Sequence, residues 1–146
     1  MDKNAFLIGL SVRRSIALGG VAFAEQPESQ QVFSAIWELE SQVNNGGFDQ
    51  YFRNSDSDVI AHAPVALRAI RASACAGIVE KAIQVIAPLP PTQEGRYRIL
   101  NVQGETGQEQ LAALDAKFFV CPDNLTDLLF EHVCRHPAVF GAVPNS

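Results

Sequence analysis

The chain has 146 residues, enough for one domain with its own core, and 47% hydrophobic against 18% charged residues excludes a disordered chain. A net charge of −5 argues against direct binding to nucleic acid, which calls for a basic face. Cys75, Cys121 and Cys134 follow no recognisable spacing and read as reduced thiols of a cytoplasmic protein, and no stretch approaches the roughly 20 apolar residues of a membrane span.

Arg13-Arg14, the apolar run 15–23 and Ala22-Phe23-Ala24 share features with a twin-arginine signal. Against that, residues 5–10 are already apolar ahead of the arginine pair, and Gly19-Gly20 fits a helix stop. A first helix over 3–18 is therefore expected. Pro27 stands near the start of a second, where its missing donor does no harm. That helix runs to residue 44, with Val32, Ile36, Leu39 and Val43 at spacings of four, three and four, and Phe33 and Trp37 widening the stripe.

The run Gln42-Val43-Asn44-Asn45-Gly46-Gly47-Phe48-Asp49-Gln50-Tyr51-Phe52-Arg53-Asn54 carries most information. Two glycines tolerate positive φ, so they can end one helix and turn the chain into another. Asn44 and Asn45 are expected to bond the backbone groups that such a turn frees. Phe48, Tyr51 and Phe52 recur at three- and four-residue spacing, as one buried face of a short aromatic helix over 48–53. Nothing in the run is a nucleophile, a metal cluster or a phosphate loop, and its role reads as architectural.

Further on, Ser55-Asp56-Ser57-Asp58 is a polar loop rich in helix caps. Pro64 restricts Ala63, so a helix is expected to start or kink there, with a break within 73–77 before the pattern resumes toward Ile86. Pro88, Pro90 and Pro91 make a stiff connector, Thr92 caps a short helix to about residue 101, and 104–107 is read as a loop. A helix over 108–119 follows. Asp123 is expected to cap the last one, which His136-Pro137 ends. No segment alternates as a strand would, so the expected fold is all-α, a single compact multi-helix domain spanning 1–146.

The string VNNGGF followed by QYF and Asn54 resembles the signature of an uncharacterised bacterial domain family that includes a DNA-mimic protein. Ala66-Leu67 with Ile70, residues 115–119 and residues 124–140 are similar to that family's later helices. The resemblance implies an all-α fold and, for one branch, binding of a basic DNA-binding protein through an acidic surface. Residues 21–60 hold seven acids and one base, and Glu25, Glu28, Glu38, Asp49, Asp56 and Asp58 make the densest acidic region. They are the residues expected to meet such a partner. A homodimer is left open.

Glu40 falls within the apolar arc of the second helix, with Asn44 one turn on. One reading makes it a general base in a cleft. The preferred reading is structural: a buried carboxylate accepting from the turn amides or Tyr51, or paired with an arginine. The alternative function is accordingly a small-molecule site or enzyme around Glu40, Asn44, Asn45 and Gln50. His132 and His136, four apart, have the spacing of a zinc-binding pair, with Cys121 as the nearest further donor and Cys134 on the far side of the helix. Packing and capping explain that pair more simply. No catalytic residue, metal ion or cofactor is therefore expected.

Overall fold

Ile36, Leu39, Val43, Phe48, Tyr51 and Phe52 are all fully buried, and they lie along one helix. Each ring withdrawn from water contributes on the order of 2–3 kcal/mol relative to exposure, which makes this helix the axis of the fold. A computed structural model describes residues 1–143. The chain order is α1 (Lys3–Leu18), a 3₁₀ turn (Phe23–Glu25), α2 (Glu28–Asn54), α3 (Ser57–Ala69), α4 (Ser73–Val85), α5 (Gln93–Phe119), α6 (Leu125–Cys134) and α7 (Pro137–Phe140). No strand occurs among the described residues, and the fold is all-α. Among those residues no helix is long and apolar enough to cross a membrane.

Helix α2 packs against α3 and α5, α4 bridges α3 and α5, and α1 lies on α6. Asp2 caps α1 by accepting from the Ala5 N–H at 3.1 Å, and Gly19 ends it at φ 55°. Leu7 and Leu10 anchor that helix in the core, while the 2.7 Å bond from Arg14 to Gln30 ties it to α2.

Four local expectations need correction. Helix α3 starts before Pro64 and runs through it, forgoing one backbone bond, because Ile60, Ala63, Ala66 and Leu67 bury on both sides. The next break comes before residue 73, at Arg71 with φ 66°, where the Ala72 N–H closes onto the Leu67 carbonyl at 2.8 Å. That is a left-handed helix end carrying arginine where glycine is usual. The loop expected over 104–107 shrinks to a kink at Gly104 inside one long α5. Finally, Asn124 and not Asp123 caps α6, accepting from the Asp127 N–H at 3.0 Å.

Candidate functional site

The break in α2 positions everything nearby. Gly46 takes φ −154°, ψ 19° and Gly47 takes φ 74°, ψ −175°, the latter a region that side-chain-bearing residues avoid. The turn frees the Phe48 N–H, and Asp115 of α5 accepts it at 2.8 Å. A Cβ on Gly47 would lie 2.9 Å from the Asp115 Cγ, so glycine is required by backbone and neighbour together. Burial raises the Asp115 carboxyl above its ordinary range and the Asp49 charge adds to this, while the Phe48 bond opposes it.

The amides behave differently from expectation. Neither Asn44 nor Asn45 bonds the turn backbone among the described residues; Asn45 donates to Gln50 at 3.2 Å, Gln50 to Gln42 at 2.9 Å, and Asn54 to Gln42 at 3.2 Å. They form a side-chain ladder across the outside of the break. The acceptor at the freed Phe48 amide comes from another helix, which leaves Asn45 to pair with Gln50.

Glu40 is half-buried one turn and a half before the break. It lines a cavity of about 220 Å³ with Trp37, Asn44 and Thr126, and an adjoining one of about 250 Å³ with Asn44, Cys75, Cys121, Asp123 and Thr126. Burial alone pushes its carboxyl up to about 7. The partners expected for it are engaged elsewhere or absent. The turn amide belongs to Asp115, and the Tyr51 hydroxyl is buried without a hydrogen-bond partner among the described residues. Burial raises the Tyr51 phenol, and the Glu38 charge raises it further. Glu40 is therefore a carboxyl titrating near neutrality at the junction of two small cavities, an arrangement able to exchange a proton or receive a cation.

The six acids divide. Glu38, which accepts from the Ser55 hydroxyl at 2.9 Å, shares a groove of about 370 Å³ with Asn54, Ser55 and Asp56, flanked by Phe23. Glu25 is exposed on the same 3₁₀ turn as Phe23, and Asp58 is exposed in the first turn of α3. Asp49 is instead tied to Arg53 at 2.9 Å, and Glu28 stands over a separate groove with Ser29, His132 and His136. Basic neighbours temper the group: the buried Arg96 senses the Asp56 charge, and Arg14 and Glu38 share another groove.

His132 bonds the Ser29 carbonyl through Nε2 at 2.9 Å, and His136 Nδ1 bonds the His132 carbonyl at 2.8 Å. Both histidines are thus tied to backbone. Cys121 lies elsewhere, with its sulfur 2.7 Å from that of Cys75 and 3.8 Å from Asp123 Oδ2. Asp123 also accepts the Cys75 N–H at 2.9 Å, so it caps α4 across the fold. Burial and the neighbouring Cys121 and Asp123 push the Cys75 thiol up. Forty-six positions separate the two cysteines, and no spacing rule joins them in the sequence.

No curated protein and no solved structure matches the chain at a significant level. The family model described as DMP19-like protein matches residues 24–136, taking in α2 to α6 with the glycine break and with Glu38 and Asp56 of the acidic groove, and the chain belongs to that family.

Proposed function

We propose that this protein is a non-enzymatic binding protein that presents carboxylates to a basic, DNA-binding protein, as a DNA mimic does. Family membership supports the reading, and the observation that carries it is the groove that Glu38 and Asp56 share at the α2–α3 turn, with Asp58 exposed in the first turn of α3 and Glu25 on the 3₁₀ turn that flanks the groove, none of them in an ion pair among the described residues. Carboxylates not tied up in ion pairs offer a basic partner what backbone phosphates offer it, and they chiefly speed encounter. A cytoplasmic setting, where such partners work and thiols stay reduced, belongs to the same reading.

The test is affinity capture from native extract at low and high salt, followed by competition of the captured protein with duplex DNA. A basic partner should be held at low salt, released at high salt and displaced from DNA. Glu38→Lys with Asp56→Lys should slow association about tenfold with little change in dissociation, and Glu28→Lys should do less. Absence of a basic partner, or capture indifferent to these reversals, would refute the reading.

A second reading, a small-molecule site, is favoured by one observation: Glu40, with a carboxyl near 7, faces the same cavities as Asn44. Asn45 and Gln50 do not line those cavities. The check is ligand screening by thermal shift, with Glu40→Gln expected to abolish any hit.

A further inference from the structure

We infer that Cys75, Cys121 and Asp123 bind one divalent transition-metal ion of the zinc type, through two thiolates and a carboxylate, with the remaining coordination position open toward the Glu40 cavity. Three chain positions distant in sequence converge here: Cys75 on the first turn of α4, and Cys121 with Asp123 in the connection between α5 and α6. One donor atom from each lies within 4.8 Å of the other two. That is the count and type of protein ligands of an open zinc site, where a fourth position is left to water or substrate.

The geometry needs one adjustment. Zinc–sulfur bonds of about 2.3 Å at tetrahedral angles set two sulfurs about 3.7 Å apart. The present separation is 2.7 Å, so the sulfurs must part by about 1 Å. Cys121, half-exposed in a connecting segment, has the freedom to turn. Asp123 is already oriented by the Cys75 N–H, the sort of outer hydrogen bond that fixes a ligating carboxylate. Two thiolates select zinc-like ions over magnesium or calcium. Glu40, with no hydrogen-bond or ion-pair partner among the described residues, lines the same cavity as all three donors, so the open position would face a polar group and not an apolar wall.

The experiment uses the full chain, reduced, stripped with chelator and titrated with Co²⁺ and then Zn²⁺. One equivalent of Co²⁺ should give thiolate charge-transfer absorption with four-coordinate visible bands, and Zn²⁺ should displace it. Cys121→Ser should remove the thiolate band and weaken binding more than about 100-fold, while Asp123→Asn, which keeps the cap on α4, should weaken it about tenfold. His132→Asn with His136→Asn should leave binding unchanged. Cys75→Ser provides a further check, and Cys121→Ser decides if that buried substitution prevents folding. No thiolate band at stoichiometric Co²⁺, a band that survives Cys121→Ser, or binding lost with the two histidines would each overturn the assignment. So would a Cys75–Cys121 disulfide that, once reduced, yields protein taking up no metal.

Discussion

Helices α2 and α5 are equally long, 27 residues each, and each is broken by a glycine at positive φ. Their surroundings differ. At Gly47 the place of a Cβ is filled by the Asp115 carboxylate, the freed Phe48 N–H is capped, and three fully buried rings follow. At Gly104, with φ 56° and ψ −141°, nothing among the described residues lies within 4 Å of where a Cβ would stand. Positive φ records only that the backbone has turned; the neighbours decide whether the turn is held. The locked break also serves the sites, since Glu40 and Asn44 precede it in their cavities and the chain after it leads into the acidic groove. The open break lines none of the cavities described above.

Gly47→Val breaks the comparison most severely. Backbone strain in this region costs on the order of 1–3 kcal/mol, and displacing Asp115 removes a cap worth about 1 kcal/mol. A stability loss of about 3 kcal/mol is expected from denaturant unfolding. An unchanged midpoint would show that the break is not locked.

Glu40→Gln tests a different property of α2, its tolerance of a carboxyl without a partner. The folded protein raises this group from 4.5 to about 7. Its contribution to stability is therefore full below about pH 4.5 and is lost as pH rises to about 7, because the unfolded chain ionises first. In reduced, chelator-treated protein, Glu40→Gln should flatten that stretch of the stability–pH curve and leave the protein about 3 kcal/mol more stable at pH 8. This reverses the destabilisation expected of a hydrogen-bonded Glu40. A variant that follows the wild-type curve would show that Glu40 is hydrated or paired in solution.

Asp115→Ala should cost about 1–2 kcal/mol, with Asp115→Asn milder because an amide oxygen still accepts. Its sharper use is in a double variant. Removing the carboxylate clears the space a side chain at 47 would occupy, so Gly47→Val should cost about 1 kcal/mol less in the Asp115→Ala background. Strict additivity would mean that backbone strain alone holds the break.

What the sequence disclosed and what it hid divide along the same line. Local signals were legible: apolar spacing drew α1 and α2, Gly19 and Gly47 stopped and turned helices, and Phe48, Tyr51 and Phe52 formed a buried face. The all-α fold followed from those periods. Hidden were the pieces supplied from a distance. Asp115 lies 67 positions from the amide it caps, and Asp123 lies 48 from its own, so neither has a local pattern. The Cys75–Cys121 approach is of the same kind. Arg71 escaped notice because arginine rarely ends a helix in the left-handed region, and Pro64 was read as a helix start or kink although burial on both sides outweighs one lost bond. Asp123 mattered, but for α4 and not for α6. The acidic region was legible as composition, whereas its division into a group about the α2–α3 turn, a neutralised Asp49 and a separate Glu28 depends on packing.

The smallest effect is expected at the open break. Gly104→Ala also forces a side chain into positive φ, so its backbone strain resembles that at Gly47 in kind. The difference is that nothing blocks the new methyl and no cap at this turn depends on a distant carboxylate. Residues 101, 102, 105 and 106 around it are exposed, which lets the backbone relax toward a straighter helix without opening the core. A loss of about 1 kcal/mol is therefore expected, with faster hydrogen exchange confined to the middle of α5. The neighbours that limit the relaxation are Leu100 and Gly107, both buried, so exchange at these two positions is the most sensitive readout. A loss equal to that of Gly47→Val would mean that strain at positive φ, and not the neighbour filling the space, sets the cost at both breaks.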